Sequence, residues 1–234
     1  MTTQAIVLAG GLGTRLRSVV AELPKSMAPI NGRPFLEYLL DDLVEQGITD
    51  IFLSVGYKHE AISGHFGNRY KTATITYVVE SEPLGTGGGI RLALEHTSER
   101  HVFALNGDTI FSVNLTAMMQ FHLLQEAAFS MALKPMTNFD RYGTVTTDDE
   151  DRINGFEEKQ FRKQGLINGG VYLIDRSYFL GIDFPEKFSL EKEFFEKFYH
   201  QDPLYGFVTE RYFRDIGIPE DYQKAQDEFA RLAR

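Results

Sequence analysis

The chain has 234 residues, 43% hydrophobic and 24% charged, which suits one large globular domain or two small ones with a sizeable core. A net charge of −9 argues against a nucleic-acid partner, because phosphate backbones attract basic surfaces. The absence of cysteine excludes disulfides, thiolate metal sites and cysteine nucleophiles.

Strand-like and helix-like stretches alternate from the start. "AIVLA" (5–9) is a run of β-formers without polar interruption and reads as a buried strand. It breaks into "GGLGTRL", where glycines allow a tight turn or close approach to the backbone, and Arg15 and Arg17 follow. "PFLEYLLDDLVEQG" is a helix with Pro34 at its start and Gly47 at its end. "DIFLSV" (50–55) is a second buried strand, "EAISGHF" a short helix and "ATITYVV" (73–79) a third strand. A helix opens on the glycines of "GGGIRLALEH", and "HVFALNGD" (101–108) is a fourth strand with a polar tip. The alternation predicts an α/β fold with a mixed, mostly parallel, doubly wound sheet flanked by helices. Ligands of such sheets bind beyond the carboxyl ends of the strands, where the glycine loop and "NGD" both lie.

After about residue 130 the rhythm changes. "FSMALKP", "YGTVTTD", "RINGFEEK" and "INGGVYLID" read as short strands, antiparallel or mixed additions to the same sheet. "SLEKEFFEKFY" and "IPEDYQKAQDEFARLA" read as amphipathic helices. No linker or repeat separates the halves, so residues 1–234 are expected to form one domain. Residues 1–130 have the alternation of a nucleotide-type half, and 131–234 form an elaborated second half. No apolar run approaches the ~20 residues of a membrane span. The chain enters a strand pattern at once with no visible signal peptide, so a cytoplasmic location is expected. The oligomeric state is open, a homo-oligomer included.

Two familiar phosphate motifs fail at the opening loop. The dinucleotide fingerprint needs a third glycine where Leu16 stands, and the P-loop's lysine and hydroxyl are missing at their offset. Hydride transfer and ordinary NTPase chemistry lose support. What remains is a glycine loop holding Thr14 and Arg15, with Lys25 held between Pro24 and Pro29. The alternative is a glycine turn with solvated cations.

The strings "LAGGLGTRL", "LPKSMAPING", "EPLGTGG", "NGD", "FEEK", "INGGVY" and "DIGIPEDY" occur in an order that resembles the sugar-1-phosphate nucleotidyltransferases. The likeness runs from about Gln4 to Tyr222. "FDRYGTV", "FEEKQFRKQGLINGG" and a short C-terminus resemble, within that family, the branch that transfers GMP to a heptose 1-phosphate. Mannose-1-phosphate guanylyltransferases and N-acetylmuramate-1-phosphate uridylyltransferases look similar at greater distance.

The resemblance implies the reaction of an NTP, predicted to be GTP, with a sugar 1-phosphate, predicted to be D-glycero-α-D-manno-heptose 1-phosphate. The products are a nucleotide sugar and pyrophosphate. Such chemistry is positioning and charge neutralisation, without a protein nucleophile. The resemblance implies nucleotide contacts from Leu8, Gly10, Gly11, Gly13 and Asn106, with Thr14 and Arg15 on the leaving phosphates. Lys25 would sit near the α-phosphate. Asp108 would hold Mg²⁺ with Asp215 as its partner, since Mg²⁺ takes one or two carboxylates plus phosphate oxygens. "SEPLGTGGG" would face the base: Gly85 by close approach, Thr86 to Gly89 with free helix N–H groups, and Glu80 or Glu82 accepting from guanine. Gly143, Glu158, Lys159, Asn168 and Gly169 would hold the sugar phosphate, with Arg141, Tyr142 and Gln164 as further candidates. The acidic run Asp148 to Asp151 reads as a solvated turn, Arg17 as solvated, and the six histidines show no metal-ligand spacing. A silent nucleotide-sugar sensor is the rival class. Arg15, Lys25, Asp108 and Asp215 argue against it, since a sensor needs no leaving-group and metal residues.

Overall fold

The structure is a computed structural model and describes residues 2–11, 16, 23–157 and 159–232. Strand β1 (Gln4–Leu8) lies at the centre of the main sheet. A small hairpin of β2 (Pro29–Ile30) and β3 (Arg33–Pro34) leads into helix α1 (Phe35–Glu45). Then come β4 (Asp50–Val55), α2 (His59–Phe66), β5 (Arg69–Tyr70) and β6 (Ala73–Val79). Helix α3 (Gly85–Glu95) carries the chain back across to β7 (His101–Asn106). In the sheet, β4 and β7 flank β1 in parallel and β6 continues beyond β4, also in parallel. The order in which strands are added therefore reverses at β1, from β4 and β6 on one side to β7 on the other, and a crevice opens at the carboxyl ends of β1 and β7.

The two faces of β1 show why both sides are covered. Ala5 and Val7 belong to one buried cluster with Leu36, Leu39, Leu40 and Leu43 of α1 and Ile62 of α2. Ile6 points the other way into a cluster with Ile90, Ala93 and Leu94 of α3. Side chains alternate across a strand, so an unbroken apolar strand needs helices on both faces.

The second half extends the same sheet in mainly antiparallel fashion. Its strands are β9 (Phe129–Phe139), β10 (Thr144–Thr147), β11 (Ile153–Glu157) and β12 (Arg162–Asp175). Strand β12 is longer than its sequence suggested and pairs with β7, β9 and β10. Before them lie the short strand β8 (Thr109–Phe111) and helix α4 (Leu115–Leu124); α5 (Arg176–Gly181) follows β12. The segment read as an ordinary amphipathic helix is instead a π-helix over Leu190–Phe195, running into α6 (Glu196–Phe198). Its buried residues are Leu190, Phe194 and Phe195, spaced four and five apart. That spacing suits the wider turn of a π-helix better than 3.6 residues. Strands β13 (Leu204–Val208) and β14 (Phe213–Asp215) and helix α7 (Pro219–Leu232) complete the chain.

Close approach, more than helix opening, explains the glycines of α3. A Cβ on Gly87 would meet the Phe188 ring at 2.2 Å, and one on Gly88 the Glu186 carbonyl oxygen at 2.6 Å. The Gly87 and Gly88 N–H groups donate to the Phe188 carbonyl at 3.1 and 3.3 Å. Alanine at Gly88 would gain about 1 kcal/mol of helix propensity, but overpacking against backbone costs about 1–3 kcal/mol. Gly88→Ala is expected to lower Tm by a few degrees, at about 2–4 °C per kcal/mol for a chain of this size. An unchanged or higher Tm in a thermal melt would contradict the packing account.

Candidate active site

Lys25 sits on a one-turn 3₁₀ helix, Lys25–Met27, set by Pro24 in an extended conformation. Ser26 and Met27 are buried beneath it, and Ala28 accepts from the Phe35 amide, which ties the turn to α1. Asp108 follows β7 through Gly107, whose N–H donates to the Leu8 carbonyl at 2.9 Å. A Cβ on Gly107 would lie 2.6 Å from that oxygen, so a glycine is what lets the β7 tip cross the end of β1. Asp215 ends β14, which pairs antiparallel with β8 and sets Asp215 opposite Thr109. The Ile216 amide donates to the Asp108 carbonyl at 3.1 Å. This pairing brings together two aspartates that are 107 residues apart.

The three side chains form a charged cluster. Lys25 Nζ lies 2.5 Å from Asp108 Oδ2 and 3.9 Å from Asp215 Oδ1. Asp108 is 39% exposed and Asp215 21%. Burial pushes the Asp215 carboxyl above its ordinary range, and repulsion from Asp108 pushes it the same way. The Lys25 ammonium and a hydrogen bond from the Gly217 amide oppose that shift. Tyr142 donates to Asp215 Oδ2 at 3.4 Å, and Arg141 beside it pairs with Asp221 of α7 at 2.5 Å. Two carboxylates that repel each other, with a cation between them, are hard oxygen donors that fit a divalent ion such as Mg²⁺. Among the described residues no larger cluster of histidines and carboxylates is assembled.

Two cavities meet at this cluster. One, of about 270 Å³, is lined by Leu8, Gly10, Gly11, Lys25, Ser26, Glu80, Gly85, Thr86, Asn106 and Asp108. Among the described residues nothing approaches a Cβ position on Gly11, so none of them imposes a packing demand for glycine there. The other, of about 670 Å³, is lined by Lys25, Asn106, Asp108, Arg141, Tyr142, Gly143, Lys159, Asn168, Gly169 and Asp215. Lys25, Asn106 and Asp108 belong to both. A group held at their junction faces one lysine and two aspartates.

Residues 4–231 match the family described as nucleotidyl transferase. The chain belongs to the nucleotidyl transferase family. It is 52% identical over 225 residues to the D-glycero-alpha-D-manno-heptose 1-phosphate guanylyltransferase of Aneurinibacillus thermoaerophilus, covering 96% of this chain and 97% of that one. It is 46% identical to the enzyme of that name from Campylobacter jejuni, covering 94% and 96%. Among solved structures, HddC from Yersinia pseudotuberculosis complexed with GMP-PN superposes with a TM-score of 0.88 at 35% identity, over 97% of this chain and all of that one. The α/β fold with a mixed, mostly parallel sheet expected from the sequence is the fold observed, the Rossmann-like fold of the nucleotidyltransferases.

In this transferase most of the residues singled out from sequence line the two cavities, with qualifications. Gly13, Thr14, Arg15, Arg17 and Glu158 lie outside the described residues. Glu80 lines the smaller cavity, but its two oxygens already accept from Ser54 Oγ at 2.8 Å and the Leu84 amide at 3.0 Å. Glu82 is exposed and is not among the residues lining the cavity. The helix N–H groups of Gly87 and Gly88, expected to be free for the base, are taken by Phe188. Gly169 lines the larger cavity, and the Phe111 ring fills the place of its missing Cβ. The acidic run forms a turn, with Asp148 Oδ1 accepting from the Glu150 and Arg152 amides.

Sequence reasoning missed two residues. Ser26, 3% exposed, lines the smaller cavity with an Oγ that has no hydrogen-bond partner among the described residues. A buried hydroxyl is rarely left unpaired, so this one is available to a ligand. Its place after Lys25 was the available signal. Glu191 lines the larger cavity from the π-helix, and nothing in its local sequence marks it.

Proposed function

We propose that this chain transfers GMP from GTP to D-glycero-α-D-manno-heptose 1-phosphate, releasing pyrophosphate. The observation that carries the reading is the junction of two cavities at Lys25, Asp108 and Asn106. One cavity suits a nucleotide behind a glycine loop and the other a sugar phosphate. The identity of base and sugar is supported by the two relatives at 52% and 46% identity that carry that activity in their names.

In this reading one domain holds both substrates, residues 1–130 mainly the nucleotide and 131–234 mainly the sugar phosphate. GTP lies along Leu8, Gly10, Gly11, Gly13, Gly85, Thr86 and Asn106. Thr14 and Arg15 hold the leaving β- and γ-phosphates, and Ser26 Oγ donates to the nucleotide. Gly143, Glu158, Lys159, Asn168 and Gly169 hold the sugar phosphate. A phosphate oxygen of the sugar attacks the α-phosphorus in line, the α–β phosphoanhydride bond breaks, and its electron pair leaves on pyrophosphate. Lys25 faces the charge that builds on the α-phosphate, where a preorganised cation acts without reorganisation. Asp108 and Asp215 would hold Mg²⁺, which when bound supplies further neutralisation of the phosphate charges. Glu80 shapes the loop beside the base. Glu82 has no part in the reading. We place the protein in the cytoplasm, where nucleoside triphosphates are made. Among the described residues no helix is long and apolar enough to cross a membrane.

Pyrophosphate release measured over four NTPs and the 1-phosphates of heptose, mannose and a hexosamine tests the reading. GTP with the heptose is expected to give the highest kcat/KM. Equal use of UTP or CTP would remove the guanylyl assignment. Better use of mannose 1-phosphate would remove the sugar assignment and leave the reaction class standing.

A further inference from the structure

The larger cavity does not end at Asn168. A second chamber of about 550 Å³ opens beyond it and shares Gly143, Lys159, Asn168 and Glu191 with the first. Its own walls come from Thr144 and Glu157 on one side and Ser189, Lys192 and Glu196 on the other. The floor is apolar: Phe156 and Phe195 stack with centroids 5.3 Å apart and planes 8° from parallel. An apolar floor under a polar rim suits a short carbon chain that carries hydroxyls.

Glu191 stands at the boundary between the chambers. Its Oε2 accepts from Thr86 Oγ1 at 3.0 Å and from Ser189 Oγ at 2.8 Å. The Thr86 hydroxyl in turn accepts from the Leu190 amide at 2.9 Å. Two hydroxyl donors therefore fix the carboxylate, while its Oε1 accepts from no described group. Glu157 likewise bonds through Oε2 alone, accepting from Thr144 at 2.8 Å and pairing with Arg162, so a cation neutralises it, whereas no described cation pairs with Glu191. Asn168 accepts from the Gly170 amide and donates to the Tyr172 hydroxyl, each at 2.9 Å. An oriented acceptor at the entrance to the chamber, paired with no described cation, is a recognition point for a hydroxyl donor.

We propose that the second chamber receives the exocyclic carbon chain of the sugar and that Glu191 Oε1 accepts a hydrogen bond from one of its hydroxyls. This rests on the sugar reading above. A heptose carries CHOH–CH₂OH where mannose carries CH₂OH, so the longer chain reaches farther into the chamber. The sugar's length is then read at Glu191, away from the phosphates and the bond that breaks.

The test is the ratio of kcat/KM for heptose 1-phosphate over that for mannose 1-phosphate, with GTP fixed, in wild type and two variants. In Glu191→Gln the amide oxygen stays with the Thr86 and Ser189 hydroxyls, which turns an NH₂ into the chamber in place of an acceptor. The ratio is expected to fall about tenfold, the value of one hydrogen bond to a charged group at a partly exposed site. In Glu196→Trp an indole on the rim fills the chamber, and the ratio falls again because the longer chain is the one excluded. Melting temperatures show that both variants fold. A ratio unchanged from wild type in both would overturn the proposal while leaving the sugar reading intact. A wild type that does not favour the heptose would overturn both.

Discussion

Asp108→Asn is expected to cut kcat by about 10²–10³-fold, the range seen when one preorganised electrostatic contact to a developing charge is removed. The side chain keeps its shape and loses its charge. Asp215 is left as the single carboxylate, and a divalent ion bound there has one hard anionic ligand instead of two. The Mg²⁺ concentration for half-maximal rate therefore rises as well. Stability changes little, because two effects oppose. Lys25 loses its partner at 2.5 Å, and Asp215 loses a repelling neighbour. Asp108 is also 39% exposed, where solvent screens the pair. Pyrophosphate release across a Mg²⁺ titration, with a thermal melt on the same protein, checks both parts. A normal rate at low Mg²⁺, or a rate loss matched by loss of folded protein, would remove Asp108 from the chemistry.

The second large effect is at Lys25. Lys25→Ala removes the cation shared by both cavities, and kcat is expected to fall about 10²–10³-fold with a smaller change in the KM for GTP. This variant also carries a pH signature. Lys25 opposes the burial and repulsion that raise the Asp215 carboxyl, so without it that group moves higher still. A carboxyl raised in the folded state favours folding when protonated and loses that advantage as pH rises through its folded value. The variant's Tm deficit is therefore largest at neutral pH and shrinks as pH falls toward the ordinary carboxylate range. A deficit that is constant with pH would mean that Lys25 does not neutralise the aspartates.

Much of this arrangement could be read along the chain because it is local. Apolar runs ending at Leu8, Val55 and Asn106 are strands buried on both faces, and the run ending at Val79 is a strand buried on alternate residues. Pro34 and Gly47 bracket α1 because proline suits a helix start and glycine its end. Asp108 stood out because it ends a strand pattern at the carboxyl edge of the sheet, and Lys25 because Pro24 and Pro29 flank it shortly after the glycine loop.

What escaped the sequence depends on partners far along the chain. The meeting of Asp108 with Asp215 is made by the pairing of β8 and β14, two three-residue strands with little signal of their own. The glycines of α3 looked like a ligand cradle, yet Phe188, some hundred residues on, occupies the space above them. A missing Cβ shows that something comes close and leaves open whether it is a ligand or the protein itself. Phe194 and Phe195 are both buried only because the helix widens there to fit the core around Phe129 and Phe179. Glu191 acquires its orientation from Thr86 and Ser189, and Ser26 its unpaired hydroxyl from what packs around it. Sequence alone determined the longer strands of the parallel half of the sheet and the charged residue types at its edge, because propensity and period act over a few neighbouring residues. Tertiary structure decided which carboxylates share a cation, which glycines serve packing and which polar atoms stay free, because those depend on contacts between segments that no local pattern encodes.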